Sequence, residues 1–325
     1  MKNLIPQEKL LVGDPFPSII GQQAEKAQIK SALLTGRHII LVGPPGVGKT
    51  TFAKGISQLL TEDFIVNPFT NEKSEKKIPG EKRFIRVQGS PDLTAEDLIG
   101  DIDPIKALKF GPLSIEAFTP GKIFKAHNGI LFFDEINRCS EKLQNSLLQV
   151  LEEGVVTIGG YTVDVPTDFI FIGTMNPEDT STEPLSEVFL DRFDLIYAKY
   201  PETLENEVTI VRQSGKDLGV KCSEELLTFM VRFVRTLRNH ELIQKHPSVR
   251  ASIGLYERAQ GNALIENRSE VVFDDVSNAV HSVLAHRIGL KPSVKFLQKP
   301  EDIIAAEFEK FAEKHGMQKE EGDAP

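Results

Sequence analysis

HIILVGPPGVGKTTFAKGISQLL, residues 38–60, decides the fold. Its first part is a short apolar strand, HIILVG, and its last, TTFAKGISQLL, reads as a helix. Between them GPPGVGKT fits the spacing GxxxxGK[ST], in the strand–loop–helix context that makes the spacing meaningful. Glycines let successive backbone N–H groups turn toward one anion, and the helix start adds its own unpaired N–H groups. The loop Gly43, Pro44, Pro45, Gly46, Val47 and Gly48, with Lys49, Thr50 and Thr51 after it, is therefore the expected cradle of a nucleoside triphosphate. Lys49 would reach the β- and γ-phosphates, and the Thr50 hydroxyl would hold Mg²⁺. GxGxxG is absent from this segment, which argues against a dinucleotide.

A second stretch, ILFFDEINR at 130–138, sets four large apolar residues against Asp134 and Glu135. Ionised carboxylates at the end of a core strand are costly to desolvate without a cationic partner. The strand is expected to lie beside strand 38–43, which would bring Asp134 to the phosphate loop. Asp134 would then hold Mg²⁺ through water, and Glu135 would polarise or position the attacking water. Capping of the next helix is the plainer use of such a pair, but it leaves the apolar run unexplained.

Three further residues are left open at this point. Asn176, in IFIGTMNP, either bonds the γ-phosphate or its water, or simply turns the chain before Pro177. Arg192, in FLDRFD, has an intrachain ion pair as its ordinary role. Arg250, in PSVRAS, falls in the first turn of an expected helix, where the helix field disfavours a cation. A nucleotide phosphate or a neighbouring Asp or Glu would compensate it.

The rest of the chain alternates strand and helix up to Pro201: FIRVQG at 84–89, a helix over 90–100 capped by Ser90, irregular chain over 101–128, a helix ending at Gly154, a hairpin around Gly159-Gly160, and strands DFIFIGTMNP and DLIYAKY. Strands separated by helices imply an α/β fold with a mostly parallel sheet between helices. Beyond Pro201 every periodic segment is helical, with no strand between. The expected organisation is a nucleotide-binding core over 1–202, a helical lid domain over 203–299, and a C-terminal helix with an acidic tail over 300–325.

The 325 residues carry a formal charge of -9, which disfavours a chain whose main work is coating nucleic acid or an acidic membrane. Cys139 and Cys222 are the only cysteines and form no CxxC pair, so neither a disulfide framework nor a zinc knuckle is implied. No run approaches the ~18 apolar residues of a membrane span, and the expected location is cytoplasmic.

With these motifs in place the chain resembles the AAA+ ATPases, specifically the MoxR-like branch related to the ATPase subunit of magnesium chelatase. The resemblance runs from about Ile19 to about Ile288, on GPPGVGKT, GSPDLTAEDLIGDID, TPGKIFKAHNGILFFDEINR, QNSLLQVLEEG, GTMNP, LSEVFLDRFD and PSVRAS. It implies an AAA+ P-loop core with a parallel five-stranded sheet and a C-terminal all-helical lid. Lys49 and Thr50 look like the Walker A pair, Asp134 and Glu135 like Walker B, and Asn176 like sensor 1. Arg192 matches the arginine finger that reaches the nucleotide of the neighbouring subunit, and Arg250 the sensor 2 arginine. Residues 101–120 resemble the insert in the second helix, and 155–166 the hairpin before sensor 1. Such proteins assemble as rings, usually hexamers, use ATP and Mg²⁺, and are associated with von Willebrand factor A domain partners in chaperone-like remodelling. The alternatives are a magnesium-chelatase-type metal insertion subunit and a DNA-translocating motor. The second is disfavoured because the hairpin contains no Lys or Arg and the insert only Lys106 and Lys109.

Overall fold

The computed structural model describes residues 4–112, 114–158, 163–177, 179 and 184–317. The chain divides into two compact units, Met1–Pro44 with Gly48–Lys199, and Pro45–Val47 with Tyr200–Pro325.

The first unit is built on β1 (His38–Val42), β2 (Phe84–Gln88), β3 (Gly129–Asp134), β4 (Phe169–Met175) and β5 (Phe193–Tyr197). They form one parallel sheet in the order β2-β3-β4-β1-β5. The expected neighbourhood of residues 130–133 and strand 38–43 is corrected here: β4 runs between them. Ile172 pairs with Ile39 on one side and Phe132 on the other, so the three strands end at a common level.

Strand side chains alternate between faces, and the packing follows that period. Ile39, Leu41, Ile130, Phe132, Ile170 and Ile172 point to one face, where Phe52, Ala53 and Ile56 of helix α2 (Lys49–Leu59) cover them together with Ile29 of α1 (Gln23–Leu34). Ile40, Val42, Leu131, Phe133 and Phe171 point to the other, against Leu143, Leu147 and Val150 of α3 (Glu141–Glu153). Burial on both faces is why these strands read as continuous apolar runs. By the same count Asp134 and Thr174 share the face of α2, the helix that begins at Lys49.

Two local expectations are revised. The helix expected from Ser90 spans only Ala95–Ile99, and Thr94 caps it in a reciprocal box with Asp97. Ser90 instead opens a turn, accepting the Leu93 N–H. In the 101–120 insert, strands Gly100–Ile102 and Phe118–Pro120 pair antiparallel and carry a short helix, Pro104–Phe110. The hairpin strands Val155–Ile158 and Val163–Pro166 are present; its expected turn at Gly159-Gly160 lies outside the described residues.

The second unit packs α4 (Leu204–Ser214), α5 (Glu224–Arg238), α6 (Val249–Ile265), α7 (Phe273–Leu284) and α8 (Pro300–Lys314) around a core that includes Met230, Phe233, Leu255 and Val280. It is not wholly helical, since Ile243–Lys245 pairs with Gly289–Leu290. Among the described residues no helix is long and apolar enough to cross a membrane.

His38 opens β1 among the rings of Phe169, Phe171 and Phe193, and its Nδ1 accepts the Phe171 N–H at 3.1 Å. Burial pushes its pKa from 6.5 down to about 4. The unfolded chain takes up this proton near the ordinary value and the folded chain only near the lowered one. The stabilisation is therefore complete above that ordinary value and is lost as pH falls through the lowered one, by about 3 kcal/mol. Urea unfolding at pH 7 and pH 4 should show a stability drop about that much smaller in His38→Gln than in wild type. Equal drops would contradict the assignment.

Candidate active site

The phosphate loop leaves the carboxyl end of β1, where the Gly43 N–H donates to the Met175 carbonyl at 3.1 Å. Gly46 (φ 76°) and Gly48 (φ 94°) take left-handed conformations that side chains resist, and Gly48 leads directly into α2. Lys49 Nζ donates to the carbonyls of Gly43 and Pro44 at 2.5 and 2.9 Å, so its ammonium is folded onto the loop itself. Pro45–Val47 belong to the second unit, and there a Cβ on Gly46 would meet Ser248 Oγ at 2.8 Å and Arg250 Cγ at 3.4 Å. Ser248 is the N-cap of α6, and Arg250 lies in the first turn after it.

At the end of β3 both oxygens of Asp134 are engaged. Oδ1 accepts the Thr174 hydroxyl at 2.7 Å, and Oδ2 pairs with Arg86 Nη2 at 2.5 Å. The cation that a carboxylate in this position needs is thus supplied from β2. Glu135 turns the chain in the left-handed region, φ 56°, while its N–H donates to Thr174 Oγ1 at 2.9 Å. Its Oε2 accepts from Gln88 Nε2 at 2.9 Å and lies 3.2 Å from Arg138 Nη1. Gly89 passes so close that a Cβ there would collide with the Glu135 carbonyl. Arg138 also donates to Asp179, which raises its pKa above the usual guanidinium value.

Asn176 follows β4, and its carbonyl accepts from Asn137 Nδ2 at 3.2 Å. Arg192 is elsewhere. It precedes β5 at the amino end of the sheet, bonded to Glu152 at 2.8 Å and to the Val188 carbonyl at 3.0 Å. The first unit therefore gathers Lys49, Asp134, Glu135 and Asn176 at the carboxyl end of the sheet and holds Arg192 at the opposite end. Arg86, Gln88, Thr174 and Arg138 surround the carboxylate pair without having been assigned to the site from sequence. Arg86 and Gln88 did carry a signal: they are polar residues two apart on a core strand, hence on one face.

Among the described residues no group of three or more His, Cys, Asp or Glu gathers to hold a metal. A hydroxyl from Thr50 and one carboxylate suit Mg²⁺, which keeps waters and takes substrate phosphate oxygens rather than a protein cage. Cys139, next to this turn, is no nucleophile candidate, because burial pushes its thiol up to about 11.

Residues 38–193 match an AAA domain of the dynein-related subfamily, and residues 235–307 match an AAA lid domain. The chain is 31% identical to YeaC of Bacillus subtilis over 82% of each chain. It is 30% identical to a magnesium-chelatase subunit ChlI homolog of Methanocaldococcus jannaschii over 86% of each. The chain belongs to the AAA+ ATPases. Within them it falls in the branch that holds both magnesium-chelatase subunits and MoxR proteins: it is 29% identical to the chaperone MoxR1 of Mycobacterium tuberculosis, over 84% of this chain and 73% of that one. In this AAA+ protein the P-loop core and the helical unit correspond to those two matched domains.

Proposed function

We propose that this AAA+ ATPase hydrolyses ATP with Mg²⁺ as a cytoplasmic ring, most simply a hexamer, and uses the cycle to remodel or mature a partner complex in the manner of MoxR chaperones. The observation that carries the reading is that Asp134 and Thr174 share a sheet face with α2, at the sheet end from which the phosphate loop departs.

The loop N–H groups from Gly43 to Thr51 and the Lys49 ammonium bind the triphosphate. Thr50 and Asp134 would hold Mg²⁺, which would supply neutralising charge to the triphosphate. Glu135 orients a water in line with the γ-phosphorus; a bond forms from the water oxygen as the bond to the β–γ bridging oxygen breaks, ADP leaves with that electron pair, and the water's proton passes to Glu135 or to the released phosphate. Asn176 contacts the γ-phosphate or that water. Arg192 of one subunit stabilises charge on the phosphoryl bound by its neighbour, and Arg250 couples the nucleotide state to the helical unit. Lys49 must exchange its loop carbonyls for phosphate oxygens, and Arg86 must share or release Asp134.

A von Willebrand factor A domain protein is the proposed partner. A metal-insertion role stands beside the chaperone role because the chelatase homolog and MoxR1 are similar to this chain to nearly the same degree. DNA translocation gains nothing from the hairpin, whose sequence bears only acidic charge. The test is phosphate release by assembled protein with Mg²⁺ or with EDTA, followed by ATP-dependent co-purification of partners from native extract. Mg²⁺-dependent release and retention of a von Willebrand factor A domain protein are expected. Absence of hydrolysis, or recovery of a porphyrin-binding complex instead, would overturn the corresponding part.

A further inference from the structure

Two contacts join the turn Ile136–Arg138 to the chain that follows β4. Asn137 Nδ2 donates to the Asn176 carbonyl at 3.2 Å, and Arg138 donates to Asp179 Oδ2 through Nε at 3.1 Å and Nη2 at 2.6 Å. The remaining terminal nitrogen of Arg138, Nη1, stands 3.2 Å from Glu135 Oε2. One guanidinium is thus shared by two carboxylates that lie more than forty residues apart in sequence. The Asp179 side chain is 16% exposed and that of Arg138 38%, so the pair is sheltered on its carboxylate side and open to solvent on its guanidinium side. Asn137 is 4% exposed, and among the described residues its Oδ1 has no hydrogen-bond partner.

This arrangement makes the place of Glu135 depend on the places of Asn176 and Asp179. A displacement of Asp179 by an ångström draws Arg138 with it and alters what holds the Glu135 carboxylate, because attraction between close charges changes steeply with distance. A plain structural staple would need no third group. Here the third group is the carboxylate proposed to aim the water.

We propose that Arg138 is a positioning residue for hydrolysis: it ties Glu135 to Asp179, three residues beyond Asn176, and so holds the carboxylate where it can aim the water. The inference rests on the ATPase function proposed above. It differs from that function in predicting a defect in the chemical step without a defect in binding.

The test uses assembled full-length Arg138→Ala, Arg138→Lys and Asp179→Asn, with kcat, KM, binding of ATPγS and ADP, and thermal unfolding measured for each. Arg138→Ala and Asp179→Asn should lose roughly 10- to 100-fold in kcat, the scale of a small misplacement in an active site. Nucleotide affinity and the melting transition should stay near wild type. The double variant should be no worse than either single one, since both break the same tie. Arg138→Lys should recover part of the loss through a single bond. Wild-type kcat in Arg138→Ala and Asp179→Asn, or a loss that tracks a lowered melting temperature and weakened nucleotide binding, would overturn the proposal. Glu135→Gln separates the two levels. If it abolishes hydrolysis while the Arg138 variants are unaffected, only the tie is wrong; if it hydrolyses normally, the proposed ATPase site is.

Discussion

Arg192→Ala is expected to lower ATP turnover by roughly 10³- to 10⁵-fold while leaving nucleotide binding measurable. The register of the sheet gives the reason. His38 pairs with Phe193 and Val42 with Tyr197, so Arg192 stands before the first rung shared by β1 and β5, whereas the phosphate loop starts beyond the last. Five residues of strand are about 16 Å, more than an arginine side chain spans. Arg192 is directed instead to Glu152 and the Val188 carbonyl. Under the proposed shared site, an arginine so placed would serve the triphosphate of another copy of the chain. Mixing Arg192→Ala with Glu135→Gln should therefore regain activity, because some interfaces then pair an intact Glu135 with an intact Arg192. Mixtures as inactive as their components, or full activity in Arg192→Ala alone, would remove the shared site.

The second large effect concerns stability. Glu207 is 0% exposed and lies among Arg238 (two bonds of 2.6 Å), Arg235 (3.2 Å) and the Ser252 hydroxyl (2.7 Å). These contacts join α4, α5 and α6, and Ser252 is two residues from Arg250. Glu207→Ala removes the shared acceptor and leaves Arg238, whose side chain is 8% exposed, as a buried cation with, among the described residues, the Pro247 carbonyl and the Tyr200 ring beside it. The expected cost is about 3–5 kcal/mol, the scale for breaking a buried pair from one side. Urea unfolding followed in the second unit should register it, with Glu207→Gln intermediate. A loss below ~1 kcal/mol would mean that water reaches the site freely.

The strand–loop–helix at 38–60 and the carboxylates of 130–138 were legible because local pattern and chemistry coincide there. Strand order was not. Apolar runs of similar length carry no mark of which neighbour each will take, and only the pairing of Ile172 with both Ile39 and Phe132 reveals that β4 separates β1 from β3. Thr94 and Asp97 spell a capping box that is readable in sequence; Ser90, four residues earlier, competed as the first polar residue before the helix. The pair Ile243–Lys245 with Gly289–Leu290 is too short for any periodicity to show and exists through a distant contact. Glu207 looks like a solvated helix residue until Arg235, Arg238 and Ser252 close over it. Arg138 likewise gains its meaning from Asp179, which no spacing rule connects to it.

The most direct measurement is titration of assembled wild-type and Lys49→Ala protein with ATPγS and Mg²⁺, paired with phosphate release from ATP. Wild type should bind and hydrolyse, and Lys49→Ala should bind at least roughly tenfold more weakly, the loss expected for a charge-assisted bond to phosphate, and release no phosphate. Equal binding and turnover by the two proteins, or a wild-type assembly that neither binds nor cleaves ATP, would contradict the placement of a magnesium-bound triphosphate between Lys49 and Asp134.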